Sequence, residues 1–326
     1  MLKKLFTVRN LVILLGVIAL FVISGLLGLE VPAPEVFIAA ETIFYIGDFA
    51  VTNALFTTWI VMVILIVIAL ITTRRYPKNL DKAENNELVP SGFGNFIEMV
   101  VEGLHGLAQS VAGKWTATFF PIVMTIFLIV ILSNWSGLLP GVGTIGWLEH
   151  PHSTEVHGYV ANGIVMTAEP APPGEEGVVL VPFFRAPSTD LNFTLALALI
   201  AVGLSQYFGV KTQRLGYFKK FFDLSGFKQG AMMGVIMLFV GLLELIAEFA
   251  RIISFSFRLF GNIFAGEVLL LVMAFLIPYI ASLPFYGLEL FVGFIQALVF
   301  MMLALVFFTL STQGHGGEAH RGEEHH

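Results

Sequence analysis

Residues 230–277 form one apolar stretch with no proline and no cluster of turn residues, yet they include Glu244, Glu248, Arg251, Arg258, Asn262 and Glu267. As one helix the stretch would extend about 70 Å, against a hydrocarbon core of about 30 Å. Two spans would need a turn, and the sequence offers none. The expected element is therefore one long, strongly tilted helix. Its ionisable residues are costly at bilayer depth, about 2.5–3.5 kcal/mol each on insertion scales, so such groups read as functional.

Helical geometry orders these groups. At 100° per residue, Glu244, Arg251, Arg258 and Asn262 fall within about 40° of one another, Glu248 lies about 80° from Arg258, and Glu267 points to the opposite side. Along the axis, Glu244 is roughly 21 Å before Arg258 and Glu267 roughly 13 Å after it. A cation thus stands between acids that lie toward opposite membrane faces. The plainer alternative is pairing within the helix, for which the i,i+3 spacing of Glu248 and Arg251 is suited. No acid lies within four residues of Arg258 on this helix, so its counter-charge must come from another helix or another subunit.

The rest of the chain fits a membrane setting. It has 326 residues, 57% hydrophobic and 12% charged, with a mean hydropathy of +0.86, which places it in the polytopic membrane class. There is no cysteine, so disulfide and thiol chemistry are excluded. Residues 1–30 begin with Lys3, Lys4 and Arg9 and continue into an apolar run longer than a signal-peptide core, with no clear cleavage motif. An uncleaved extra span is expected there, with a signal-like segment as the alternative.

Further spans are expected at 51–72, 119–139, 191–210 and 284–310, making about six membrane segments in an all-α integral membrane protein. Between Ser91 and Trp115, Glu98, Glu102, His105 and Gln109 recur at helical spacing. Phe96, Ile97, Val100, Val101, Leu104, Leu107 and Val111 cover the other side. This predicts an amphipathic helix lying in the interface. The 284–310 segment is also long for an upright span, so it and 231–277 are expected to form a tilted antiparallel pair. Glu289 then lies level with Glu267, and Gln296 about 10 Å deeper, near Arg258.

All but Arg185, Arg251 and Arg258 of the 17 Lys and Arg residues fall in or beside segments on the N-terminal side of the membrane, if each span crosses once. The stretches 30–50 and 140–190 on the other side are acidic. By the positive-inside rule, the N- and C-termini are cytoplasmic.

The run F-R-L-F-G-N-I-F-A-G-E at 257–267 is preceded by E-L-I-A-E at 244–248 and followed by E-L-F-V-G-F-I-Q-A-L-V-F at 289–300. Together they resemble subunit a of the rotary F-type ATP synthase. The stretches S-N-W-S-G-L-L-P (133–140) and R-A-P-S-T-D-L-N-F-T (185–194) agree. The resemblance covers about 43–313, leaving 1–30, an external insertion at 140–184 and a polar tail at 314–326 outside the bacterial pattern. It implies a stator subunit in the bacterial cell (inner) membrane that faces a ring of c subunits and meets the peripheral-stalk b subunits. Such a subunit conducts protons through two offset half-channels and does no catalysis itself.

The family's essential arginine maps to Arg258, its neighbouring amide to Asn262 and its cytoplasmic-side acid to Glu244. The outer polar pair maps to Glu267 and Glu289, the deep glutamine to Gln296, and an asparagine near the outer channel to Asn134. Members often place an acid where this chain has Gly137 and a histidine in the outer pair, where this chain has two glutamates.

No phosphate-binding loop of the G-x-x-x-x-G-K-[ST] type occurs, so no nucleotide site, nucleic-acid partner or cofactor is expected. His150, His152, His157 and the tail histidines lack a paired ligand motif and read as solvated loop residues. The competing function is a secondary transporter binding an anionic solute at Arg258, which predicts inverted repeats and broken helices. A second competitor, an assembly scaffold, gives the intramembrane charges no purpose. The sequence has no repeat between its halves.

Overall fold

The computed structural model describes residues 16, 38–74, 92–139, 142–143, 145–149, 158–161, 164–166, 177–221, 230–276 and 282–313. Among the described residues, six α-helices carry the architecture: α1 (Asn53–Thr73), α2 (Phe93–Ala112), α3 (Thr116–Ser136), α4 (Leu191–Gln213), α5 (Ala231–Leu276) and α6 (Ser282–Thr312). Helix is the expected outcome for apolar runs of this length, since hydrocarbon offers no partner to backbone N–H and C=O groups and the helix satisfies them internally. Polar residues mark the starts. Thr52 accepts a hydrogen bond from the Leu55 N–H ahead of α1, and Asp190 accepts one from the Asn192 N–H ahead of α4, each satisfying a donor that the first turn leaves open.

Among the described residues, five helical stretches are long and apolar enough to cross a membrane: 53–73, 94–136, 191–213, 231–276 and 282–312. The further span expected in 1–30, the 314–326 tail and the histidines at 150–157 lie outside the described residues. The long charged stretch is a single helix of 46 residues, unbroken where two spans would have needed a turn.

Two stretches that read as loops contain strands. β1 (Thr42–Ile46) and β2 (Phe49–Thr52) form an antiparallel hairpin in which Ile46 pairs with Phe49. The connecting turn begins at Gly47, whose φ of 63° is the conformation that favours glycine at the first central position of a two-residue hairpin turn. In the insertion, β3 (Gly146–Glu149), β4 (Gly158–Ala161), β5 (Ile164–Met166) and β6 (Gly177–Pro182) form an antiparallel sheet in the order β3-β6-β4-β5.

α2 begins and ends inside the expected 91–115 and continues through a short 3₁₀ turn at Gly113–Trp115 into α3. Its polar side, Glu98, Glu102, His105 and Gln109, is exposed as expected. Its buried side is narrower than the expected stripe. Leu104, Ala108 and Ala112 enter the common core, whereas Phe96 and Leu107 are 54% and 45% exposed. α2 contacts both α3 and α6, so part of its apolar face is covered by helices.

The core lies where α3, α4 and α6 meet. Phe119, Phe208 and Phe308, one from each, form a triad with ring centroids 4.7–5.6 Å apart, and Phe255 of α5 packs on Phe300 and Phe307 of α6. Lipid tails are as apolar as these side chains, so close packing and interhelical hydrogen bonds supply the preference for helix over lipid. The bonds are present. Asn134 donates to the Gly293 carbonyl at 2.8 Å, Trp135 to the Leu290 carbonyl at 3.1 Å, and Ser205 to the Phe307 carbonyl at 3.1 Å. The hydroxyls of Thr194 and Ser256 lie 3.1 Å apart.

Asn134→Leu removes the buried hydrogen bond to Gly293, whose carbonyl keeps its place in the α6 backbone ladder, so the cost is about 0.5–1.5 kcal/mol. The expected result is a lower unfolding midpoint of the purified protein in detergent, with α-helical circular dichroism at low temperature unchanged.

Candidate functional site

Polar groups gather at two levels along α5, with Arg258 between them. The first group encloses a cavity of about 300 Å³. Its wall includes Asn134 from α3, Glu267 from α5 and Glu289 from α6, together with Glu41, Arg185 and Tyr286. The antiparallel arrangement of α5 and α6 thus brings Glu267 and Glu289 to one cavity, and α3 adds Asn134. Glu289 comes in close against α5 because Gly266 has no side chain: a Cβ there would collide with the Glu289 carboxyl.

Several oxygens at this site have no hydrogen-bond partner among the described residues, including Glu267 Oε2, Glu289 Oε1 and Asn134 Oδ1. A cavity bordered by acceptors that make no hydrogen bond among the described residues suits water and protons or small cations. Arg185 supplies the local positive charge. It is 8% exposed, and its Nη2 lies 3.8 Å from Glu267 Oε2. Its Nη1 donates to the Ala39 carbonyl at 2.8 Å and its Nε to Thr189 Oγ1 at 3.2 Å. The Arg185 backbone N–H donates to Thr57 Oγ1, so this residue joins α1, the residues before β1, and α5.

The second group lies toward the N-terminal end of α5. Arg251 Nη1 is 2.6 Å from Glu248 Oε2, the i,i+3 pair that the spacing suits. Glu244 pairs with Lys220, whose Nζ is 2.6 Å from Glu244 Oε1 and 2.9 Å from Glu248 Oε1. Sequence reasoning missed Lys220 because it stands in a basic loop, 24 residues from Glu244, and nothing local marks it as different from Lys219. It likewise missed Arg185 and Glu41 as cavity residues. For Arg185 a signal was available: it is the lone cation of the acidic external stretches.

Arg258 and Asn262 are both exposed. Arg258 makes no hydrogen bond or ion pair among the described residues, and neither it nor Gln296 is on the cavity wall. Gln296 is half-buried on α6. Next to Arg258, α5 presents an uncovered apolar face that includes Phe239, Leu243, Ile246, Ile253 and Phe257. No group of three or more His, Cys, Asp or Glu residues with metal-site geometry occurs among the described residues.

A family model described as ATP synthase A chain matches residues 55–309. The chain belongs to this family. It is a subunit a of the ATP synthase membrane sector, a multi-pass membrane protein whose role is ion transport in ATP synthesis. The match runs from α1 into α6 and includes Arg258 and the named residues of both polar groups except Glu41, while residues 1–30 and the hairpin precede it.

In a subunit a built this way, Gly266→Val would push the Glu289 carboxyl away from α5. Ion-driven ATP synthesis in vesicles is expected to fall by about tenfold, corresponding to about 1.4 kcal/mol, while the subunit still assembles.

Proposed function

We propose that the chain forms two offset half-channels for protons against a ring of c subunits, so that ion flow down the gradient turns the ring. The observation that carries this reading is Arg258. It is exposed on a long apolar helix, lacks an internal counter-charge among the described residues, and stands between two acid-containing clusters. A guanidinium stays protonated at any working pH and cannot relay a proton, so it blocks a direct path from one cluster to the other. Its counter-charge is then a carboxyl on the partner ring.

The physics favours such a partner. A carboxyl arriving from lipid is neutral because desolvation disfavours its charge, and a nearby cation reverses that preference. At about 4 Å and an effective dielectric of about 20, the attraction is about 4 kcal/mol, equivalent to roughly three pKa units. The carboxyl gives up its proton beside Arg258 and regains one at the other half-channel, so the ring must rotate between the two events. The membrane potential contributes about 2.3 kcal/mol per charge per 100 mV.

In this assembly the cavity with Glu267, Glu289 and Asn134 is the outer half-channel, and Glu244 belongs to the inner one. Asn262 and Gln296 flank the arginine. α5 and α6 are strongly tilted, because α5 is about 69 Å long at 1.5 Å per residue. The termini are cytoplasmic, the membrane is the bacterial inner membrane, and the peripheral-stalk b subunits hold the chain against rotation.

Arg258→Gln is expected to abolish ion-driven ATP synthesis in vesicles while the complex still assembles, measured as synthesis, ATP-driven pumping and passive leak. Normal coupled synthesis by this variant would sink the proposal. The chain has no cysteine, so single cysteines can be read without background. Glu244→Cys is expected to react with a water-soluble thiol reagent from the cytoplasmic side only, and Glu267→Cys from the outer side only. Labelling of both from one face indicates a single continuous pore instead.

A further inference from the structure

The loop after α4 reaches the second polar group by a specific fold. α4 ends where Arg214 adopts a φ of 53°, a left-handed conformation uncommon outside glycine. The chain there reverses into a 3₁₀ helix, Arg214–Lys220. Tyr217, 3% exposed, lies over Gly209, whose missing side chain leaves room for the ring, and its hydroxyl donates to Gln206 Oε1 at 2.6 Å. With the turn fastened to α4, Lys220 at its end is carried onto α5.

There it meets both acids. Its ammonium contacts Glu244 and Glu248, and the second oxygen of Glu248 is bound by Arg251, whose guanidinium lies 4.1 Å from the Phe307 ring centroid on α6. The charged groups facing Lys220 are Glu244 and Glu248, with Arg251 beyond them and Tyr217 on its own turn. Two cations therefore balance two anions. Burial alone would lower the Lys220 pKa, but its hydrogen bonds to Glu244 and Glu248 outweigh that and hold it above the usual 10.5. Burial pushes the Tyr217 hydroxyl up as well, so neither group changes charge near neutral pH.

Two carboxylates within reach of one cation behave differently once that cation is removed. Like charges at close range cannot both remain ionised at low cost, so one of them takes up a proton. We propose that Lys220 is a positioning residue for the inner half-channel, holding Glu244 and Glu248 as a charge-balanced pair so that they do not retain the proton released by the rotor. The inference rests on the half-channel reading above. It assigns a transport role to a residue outside the membrane spans.

The experiment uses the whole complex in vesicles, with ATP synthesis measured as the cytoplasmic-side pH is varied at fixed driving force. Replacing Lys220 by Gln leaves Arg251 alone against two acids. K220Q is expected to lose rate as the cytoplasmic side is acidified, about threefold or more between roughly pH 8 and pH 6, because two acids that share one cation are more readily protonated than two that share two. K220R is expected to follow the parent. The double variant K220Q/E248Q restores charge balance with Arg251 and Glu244, and is expected to recover most of the rate and the parent's pH profile.

A K220Q profile matching the parent overturns the inference. So does a double variant no better than K220Q, since Lys220 then acts only as a structural tie. If K220Q fails to assemble, assembly of the double variant supports charge balance. Failure of both, with K220R normal, counts against it. Failure of the half-channel reading shows separately, as a parent complex whose coupling survives Arg258→Gln.

Discussion

Charge in a medium that cannot solvate it is the constraint on which the rest of the structure depends. α5 carries five ionisable side chains through an otherwise apolar helix, and four of them are answered within the chain: Glu244 and Glu248 by Lys220, Arg251 by Glu248, and Glu267 by Arg185. The fifth, Arg258, is left open on a face that no described element covers. A bilayer alone makes that arrangement expensive. In the proposed assembly, the counter-charge of this exposed cation arrives with a partner.

The answering groups also organise the fold. Lys220 reaches α5 because α4 ends in a reversed turn fastened by Tyr217, and Arg185 reaches it from a segment tied to α1 and to the residues before β1. Between these ends the helices are held by aromatic packing and isolated polar contacts, such as Thr194 with Ser256 and Asn134 with Gly293. Such contacts are modest in membranes, averaging about 0.6 kcal/mol. The arrangement thus rests on many small terms, and the few buried charges are placed where several helices meet.

Much of this was legible in the sequence, for physical reasons that can be named. Apolar runs long enough to cross hydrocarbon have essentially one solution, so α1, α3, α4, α5 and α6 follow from pattern alone. The unbroken α5 followed from the absence of any turn signal, and the convergence of Glu267 with Glu289 from helical rise on antiparallel helices. The strands at 42–52 and 146–182 were less visible, because short segments among Gly and Pro carry little periodicity. Partner choice was the least legible. Glu244 shares a stripe with Arg251, yet it pairs with Lys220, and only a fold that brings a distant loop across the helix could have shown that. α2 likewise buries Leu104 but exposes Leu107, a difference set by the position of its neighbours.

The continuity of α5 has a mechanical consequence. A helix without a break is a stiff beam, and this one is tied by charge on either side of Arg258, at Lys220 and at Arg185, while its middle is bare on one side and packs through Phe255, Ser256 and Leu259 on the other. In the proposed assembly the rotor loads it at mid-span, where Arg258 stands. Sideways force there is carried into the core contacts behind it and out to both ties, so that the geometry around the arginine is kept by local packing together with anchorage some distance away. Slackening either tie would leave the core contacts alone to hold the arginine in place, without any change to the residues around it.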